Sequence, residues 1–169
     1  RGDEARGATI YVTLEPCSTH GRTGACTEAL ISAGVAKVVY GACDPNPSHG
    51  GGADKILETA GIKVVAGVLE EECEELIRGF SMVQRHGRPW LIAKTAMSLD
   101  GRITRPKEES QWLSGPDSRE EVQQLRLEAD AILTSGETIR RDNPALTLRG
   151  PRISSEKTQP WRVVMTHQG

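Results

Sequence analysis

The sequence predicts an α/β protein in which parallel strands alternate with helices. Two observations predict this class: short segments rich in β-branched residues alternate with segments of helical periodicity, and a glycine follows the first two predicted helices. The pattern changes at residues 84–89, a polar stretch that contains Gly87 and Pro89. We therefore expect two domains, residues 1–85 and residues 86–169.

The first domain is predicted to hold three strands and three helices. Its strands are expected at residues 8–14, 37–41 and 62–67. The segment 8–14 is β-branched and lies between Gly7 and Pro16, which favours a buried strand. Its helices are expected at residues 27–33, 53–60 and 70–83, the last beginning with acidic residues that the helix dipole favours.

The second domain opens with a strong strand pattern at residues 90–97. A helix is expected at residues 118–128, because Ser118 and Glu121 have the spacing of a capping box. Further strands are predicted at residues 131–134 and 162–166. Because the chain begins with Arg1 and its last strand is followed by only three residues, we expect a fragment of a longer protein.

Charge and hydropathy exclude several classes of function. Lys and Arg number 21 against 23 Asp and Glu, a net charge of −2, which argues against nucleic-acid binding by bulk charge. No apolar run approaches the roughly 18 residues that span a bilayer, and no basic and apolar leader precedes the first strand. We expect a cytoplasmic protein with neither a membrane nor a nucleic acid as partner.

Two cysteines carry the first chemical signal. Cys17 and Cys26 flank a loop that directly follows the first predicted strand. Reduced cysteines in this arrangement are candidate zinc ligands, although two cysteines do not complete a tetrahedral site, and by spacing alone two small buried thiols are the stronger interpretation. Cys43 and Cys73 lack ligand spacing, and the run Gly50-Gly51-Gly52 is expected to be a flexible loop.

Pro16-Cys17 after a strand, with a second cysteine at a helix start, resembles part of the cytidine-deaminase-like zinc signature. Longer stretches narrow this resemblance: L-E-P-C, H-G-R-T, D-P-N-P, L-D-G-R, E-S-Q-W and D-N-P-A-L-T. Over about residues 8–149 the chain resembles the bifunctional deaminase/reductase family of riboflavin biosynthesis. The resemblance implies a cytidine-deaminase-like three-layer α/β/α domain followed by a dihydrofolate-reductase-like α/β domain.

The resemblance also implies an activity and its cofactors. The family uses Zn²⁺ to deaminate a phosphoribosylated diaminopyrimidine and NADPH to reduce the ribose to a ribityl chain. It implies a small-molecule substrate and a homo-oligomer. A non-catalytic module of the same fold is the alternative, and a stand-alone nucleotide or tRNA deaminase is contradicted by the second half of the chain.

In the first domain the resemblance implies Cys17 and Cys26 as zinc ligands, and it implies substrate contacts at Arg22, Asp44 and Asn46. A proline-bracketed turn explains Asp44 and Asn46 equally well. The chain departs from the family at Thr19, where a histidine is usual, and at Gly24-Ala25, where two prolines are usual. The H-x-E segment, with the third zinc ligand and the proton-shuttling glutamate, is expected upstream of Arg1, and Glu15 is not its replacement.

In the second domain the resemblance implies that Lys94 is catalytic. Strand alternation would place Lys94 and Ala96 on the same face, and a lysine that extends to solvent from an edge strand is the alternative. The remaining implied positions contact the cofactor at Ala96, Trp112, Thr138 and Asp142, and the substrate at Ser110, Arg126, Leu146 and Arg149. The alternative for Arg126 is a solvated charge on a helix face.

Overall fold

The computed structural model describes residues 2–103, 112–150 and 158–167. The chain forms two compact units, Arg1–Ile92 and Ala93–Gly169. The domain boundary between residues 85 and 86 stays a prediction. No helix in the described part of the chain is long and apolar enough to cross a membrane.

A three-stranded parallel sheet forms the centre of the first unit. Its strands are β1 (Thr9–Leu14), β2 (Lys37–Ala42) and β3 (Lys63–Val65), in the spatial order β1-β2-β3. Parallel neighbours need a crossover connection, and the helices α1 (Cys26–Ala33) and α2 (Ala53–Thr59) supply the two crossovers. These elements lie within two residues of the strand and helix ends predicted from the sequence.

Helices pack on both faces of β2. Val38 belongs to the buried core together with Leu57 of α2, and the Tyr40 hydroxyl donates a hydrogen bond to Asp54 of the same helix at 2.9 Å. Gly41 contacts Cys73 of the next helix instead, so closely that a Cβ on Gly41 would lie 2.1 Å from the Cys73 Sγ. Because successive strand residues point to opposite faces, the first unit has a helix–sheet–helix arrangement.

The core is thin, and β1 contributes little to it. The buried cluster is built from β2, α2 and the connections that precede β2 and β3, and comprises Val35, Val38, Ala53, Leu57 and Ile62. Tyr11 is 73% exposed, so the expectation of a buried first strand is wrong. In the described sheet β1 is an edge strand, and only β2 pairs with it.

The segment 70–83, expected to be one helix, forms parts of two. The helices are α3 (Glu70–Leu76) and α4 (Arg78–His86), and they are separated by Ile77 at φ −106° and ψ 10°. The Ile77 N–H bonds to the Glu74 carbonyl three residues back, which tightens and ends the first helix. The break frees α3 to pack on β2 through Cys73.

The second unit is organised around two parallel strands. Its elements are α5 (Pro116–Glu128), β4 (Ala131–Ser135), α6 (Gly136–Asp142) and β5 (Trp161–Met165), with β4 paired to β5. The helix α5 begins at Pro116, two residues before Ser118, because proline is pre-organised for the first helical position. The capping box at Ser118 is therefore wrong, and α6 was not predicted.

Residues 90–97, expected to be a strand, form none. The described residues offer this segment no ladder of hydrogen bonds, and most of its side chains are exposed, with Leu91 at 75%. An alternating pattern gives a segment the capacity to pair, but a strand exists only where a partner binds it. The inference that strand geometry aligns Lys94 with Ala96 accordingly loses its basis.

Candidate functional site

Two loops meet at the carboxyl ends of β1 and β2. The first follows β1 and carries Cys17, and the second follows β2 and carries Asp44. Thr19 of the first loop is hydrogen-bonded to His49 of the second. A Cβ on Gly52 would lie 2.6 Å from the Ser18 Oγ, which shows how closely the loops pack. The carboxyl edge of a parallel sheet is the usual place for a ligand site.

The structure brings the two predicted zinc ligands together. The Cys26 N–H donates to the Cys17 Sγ at 3.2 Å, and the two thiols are themselves hydrogen-bonded. The side-chain hydrogen bond to Cys17 raises the pKa of the Cys26 thiol, and burial and the negative charge of a Cys17 thiolate raise it further. Cys26 is the first residue of α1 and is exposed, whereas Cys17 is half-buried.

A pair of adjacent thiols fits zinc in chemistry but not in number. Thiolate sulfur is a preferred zinc ligand, and a positive ion between the two sulfurs would remove their repulsion. A catalytic zinc site takes three protein ligands. Within the described residues, no group of three or more His, Cys, Asp and Glu side chains is placed to hold a metal ion.

Asp44 and Asn46 stabilise the turn that carries them. The Asp44 Oδ1 accepts the Asn46 N–H at 2.9 Å, and the Asn46 Oδ1 accepts the Ser48 N–H at 3.0 Å. These bonds form the proline-bracketed turn that was the structural alternative for both residues. Both side chains are half-buried, so a substrate role stays a prediction. Arg22 is exposed in a bend of the cysteine loop.

The glycine run 50–52 makes close contacts at Gly50 and Gly52, and its expected flexibility stays a prediction. A Cβ on Gly50 would lie 2.4 Å from the Asp44 carbonyl oxygen, which is a backbone atom. Gly51 has φ +79°, a conformation that side-chain-bearing residues rarely adopt. The glycines thus let this loop fold back on its own start and onto the cysteine loop.

A cavity of about 270 Å³ lies beside Lys94 in the second unit. Lys94 and Ala96 both line it, with Met97, Ser114 and Ser118. Lys94 is exposed and Ala96 is half-buried. The cavity therefore joins a predicted catalytic residue to a predicted cofactor contact without the strand that was expected to align them.

Three of the four predicted substrate contacts of this unit lie close together. The Arg126 guanidinium donates to the Thr147 carbonyl at 2.9 Å, between Leu146 and Leu148. Burial lowers the pKa of Arg126, and the positive charge of Arg149 lowers it further. The Arg149 N–H donates to the Gln123 side chain on α5 at 3.0 Å. Arg126 is thus more than a solvated helix charge, and two like charges held near each other favour an anionic ligand.

The remaining predicted positions are spread over the unit. Trp112 is stacked beneath the Arg119 guanidinium, which lies 5.0 Å from the ring centroid. The Thr138 N–H donates to the Ser135 Oγ at 3.1 Å, so Ser135 caps α6. Asp142 is exposed at the end of that helix. Ser110 lies outside the described residues.

Sequence reasoning missed the roles of Glu15 and Gln123. Glu15 holds the loop of residues 44–53, and Gln123 holds the segment that carries Arg149. Glu15 is buried, and it accepts hydrogen bonds from three backbone N–H groups of residues 44–53. No local signal marks the role of Glu15, because its partners lie 29 to 38 positions away in the sequence. Nothing local distinguishes Gln123 from its neighbour Gln124 in the sequence.

Comparison with known proteins explains this arrangement. Residues 89–169 match the family described as RibD C-terminal domain, and residues 1–42 match the cytidine and deoxycytidylate deaminase zinc-binding region. The riboflavin biosynthesis protein RibD of Synechocystis is 47% identical over 165 residues, which are 98% of this chain and 44% of that protein. The chain belongs to the RibD family. RibD of Escherichia coli is 45% identical over 176 residues, 99% of this chain and 48% of that protein.

Solved structures of RibD relatives share the fold. Acinetobacter baumannii RibD matches with a TM-score of 0.84 and 41% identity, over 96% of this chain and 46% of that chain. A Thermotoga maritima protein, described as a diaminohydroxyphosphoribosylaminopyrimidine deaminase/5-amino-6-(5-phosphoribosylamino)uracil reductase, matches with a TM-score of 0.85 and 40% identity, over 97% of this chain and 45% of that chain. The chain spans about half the length of the relatives that it matches.

Proposed function

We propose that the full-length protein containing this chain catalyses two steps of riboflavin biosynthesis. The first is the zinc-dependent hydrolytic deamination of a phosphoribosylated diaminopyrimidine, and the second is the NADPH-dependent reduction of its ribose to a ribityl chain. The pairing of Cys17 with Cys26, at the sheet edge of a RibD-family chain, is the observation that carries the proposal. The family match also favours a cytidine-deaminase-like first domain and a dihydrofolate-reductase-like second domain.

In the first step, this chain's residues hold the metal and the substrate. Cys17 and Cys26 would bind Zn²⁺, which when bound supplies a nucleophilic water at neutral pH. Asp44 and Asn46 would present polar groups to the substrate from the neighbouring loop, and Arg22 would bind its phosphate. The two loops already pack against each other, which supports a common role.

In the second step, the residues around the cavity would seat NADPH and the sugar. Ala96, Trp112, Thr138 and Asp142 would contact the cofactor, which carries the hydride. The Lys94 ammonium would stabilise negative charge that develops on the ribose oxygen. Arg126 and Arg149 would bind the substrate phosphate, with Ser110 and Leu146 as further contacts. A cytoplasmic location and a homo-oligomeric state stay predictions from the resemblance.

The deaminase half is tested by measuring zinc content and ammonia release with the purified full-length protein and the diaminopyrimidine substrate. We expect zinc in the unmodified protein and at least about tenfold weaker zinc binding in Cys17→Ser. Mutating residues that only hydrogen-bond to metal ligands already weakens metal affinity about tenfold or more, and Cys17 is itself a predicted ligand. Cys43→Ser is the matched control, because Cys43 is an exposed thiol outside the pair. Unmodified protein that releases no ammonia would contradict the proposal.

A further inference from the structure

The Glu15 carboxylate is the most extensively hydrogen-bonded side chain at the carboxyl edge of the first sheet. Glu15 is only 3% exposed. Its Oε1 accepts the Gly51 N–H at 2.9 Å and the Ala53 N–H at 3.2 Å, and its Oε2 accepts the Asp44 N–H at 3.3 Å. Every one of these donors is a backbone group of residues 44–53. A buried carboxylate is tolerated only with such partners, so the loop and the carboxylate depend on each other.

The backbone of Glu15 ties the same loop to the sheet. Its N–H donates to the Ala42 carbonyl at 2.8 Å, which continues the pairing of β1 with β2 by one residue. Glu15 thus connects the ends of both strands with the start, the glycine run and the end of the loop. Glu15 is also two residues from Cys17, so one short segment carries both this carboxylate and a predicted zinc ligand.

The loop is shaped for this contact. Gly51 at φ +79° directs its N–H to both carboxylate oxygens, at 2.9 and 3.0 Å. The Gly50 N–H donates to the Asn46 carbonyl at 2.9 Å, and Gly50 lies against the backbone of Asp44. Displacing the loop from Glu15 would therefore also displace the turn that presents Asp44 and Asn46.

We propose that Glu15 is a positioning residue of the deaminase site, whose carboxylate holds the 44–53 loop so that Asp44 and Asn46 reach the substrate beside Cys17. The inference rests on the proposed function. Glu15 acts through the loop, and its oxygens are occupied by backbone N–H groups. It is therefore distinct from the proton-shuttling glutamate expected upstream.

The test uses the zinc-loaded full-length protein, with the diaminopyrimidine substrate as probe. In the unmodified protein, the Gly51 amide should exchange its hydrogen more slowly than an unstructured peptide does. Glu15→Gln keeps the shape but replaces one acceptor with an N–H₂ donor. Because the one remaining oxygen cannot accept the N–H groups of Asp44, Gly51 and Ala53 together, we expect faster exchange of at least one of these amides. We also expect KM for the deamination raised at least about tenfold, kcat within about threefold, and unchanged zinc content. Glu58→Gln, an exposed change on α2, is the matched control and should alter none of these.

A second variant keeps the proposal falsifiable if Glu15→Gln does not fold. Gly50→Ala retains the carboxylate but forces the Asp44 turn to move, because the new Cβ would lie 2.4 Å from the Asp44 carbonyl oxygen. It should raise KM in the same way. An unprotected Gly51 amide in the unmodified protein, an unchanged KM in either folded variant, or loss of zinc from Glu15→Gln would overturn the positioning role. If the Gly51 amide is protected but the unmodified protein releases no ammonia, the proposed function is overturned, whereas the contact between Glu15 and the 44–53 loop is supported.

Discussion

Gly41→Ala should destabilise the first unit, because Gly41 is the point at which α3 packs on β2. The added Cβ would lie 2.1 Å from the Cys73 Sγ, 2.6 Å from the Cys73 Cβ and 3.0 Å from the Val68 carbonyl oxygen. Cys73 is buried, at 8% exposure. Val68 is held by its own N–H bond to the Tyr40 carbonyl at 3.2 Å. The helix must therefore move away from the strand.

The size of the effect follows from two opposing contributions. Overpacking a buried site costs about 1–3 kcal/mol. Replacing a glycine in a strand interior returns roughly 0.5–1 kcal/mol, since alanine loses less backbone entropy on folding. Because the closest contacts lie far inside van der Waals distance, we place the overpacking at the upper end. We expect a net loss of about 2 kcal/mol in the free energy of unfolding of this unit.

The assay is urea unfolding monitored by hydrogen exchange of the β2 amides, because these amides report on the stability of the first unit. Gly79→Ala is the matched control, because a Cβ at Gly79 in α4 meets no atom within 4 Å. It should stabilise its helix by about 0.5–1 kcal/mol. Cys73→Ala removes the sulfur and should reduce the cost of Gly41→Ala by at least about 0.5 kcal/mol in a double-mutant cycle. A Gly41→Ala protein as stable as its parent would refute the packing argument.

Two further predictions concern the second unit. Lys94→Met retains the apolar stem but deletes the charge beside the cavity. We expect the NADPH-dependent rate of the full-length protein to fall more than about tenfold, because removing one electrostatic donor from an active site typically costs roughly 2.7–4 kcal/mol. Ammonia release should stay unchanged. A rate within about twofold of the parent would remove Lys94 from the site. Gln123→Ala leaves the Arg149 N–H without its acceptor and should raise KM for the reduction about five- to tenfold, whereas Gln124→Ala, the adjacent change on α5, should leave it unaltered.

The alternating elements of the first unit could be predicted because each carries its own local signal. The predicted strand 37–41 carries Val38, Val39 and Tyr40 and lies at the centre of the sheet, and Gly34 ends α1 in the left-handed conformation at φ 67°. The cysteine pair could also be predicted, since Cys17 and Cys26 flank one short loop between β1 and α1. These features depend on neighbours in sequence, which one chain displays.

The supporting contacts could not be predicted, because their partners are distant in sequence. Glu15 meets Gly51 and Ala53 across 36 and 38 positions, and Arg149 meets Gln123 across 26. No periodicity marks such pairs. The break at Ile77 could not be predicted either, since residues 70–83 have the local pattern of a single helix.

The segment 90–97 shows why a strand pattern and a strand are different things. Alternation describes which side chains a segment would present on each face, whereas hydrogen bonds to a second segment make it a strand. Within the described residues, β4 and β5 pair with each other, and residues 90–97 pair with neither. The association of Lys94 with Ala96 must therefore be argued from the cavity that both residues line, where Ser114 and Ser118 of the α5 region also lie. A cavity formed between this segment and the start of a helix needs no fixed register. For that reason the effect of Lys94→Met tests the role of the Lys94 ammonium group and does not depend on a strand conformation of residues 90–97.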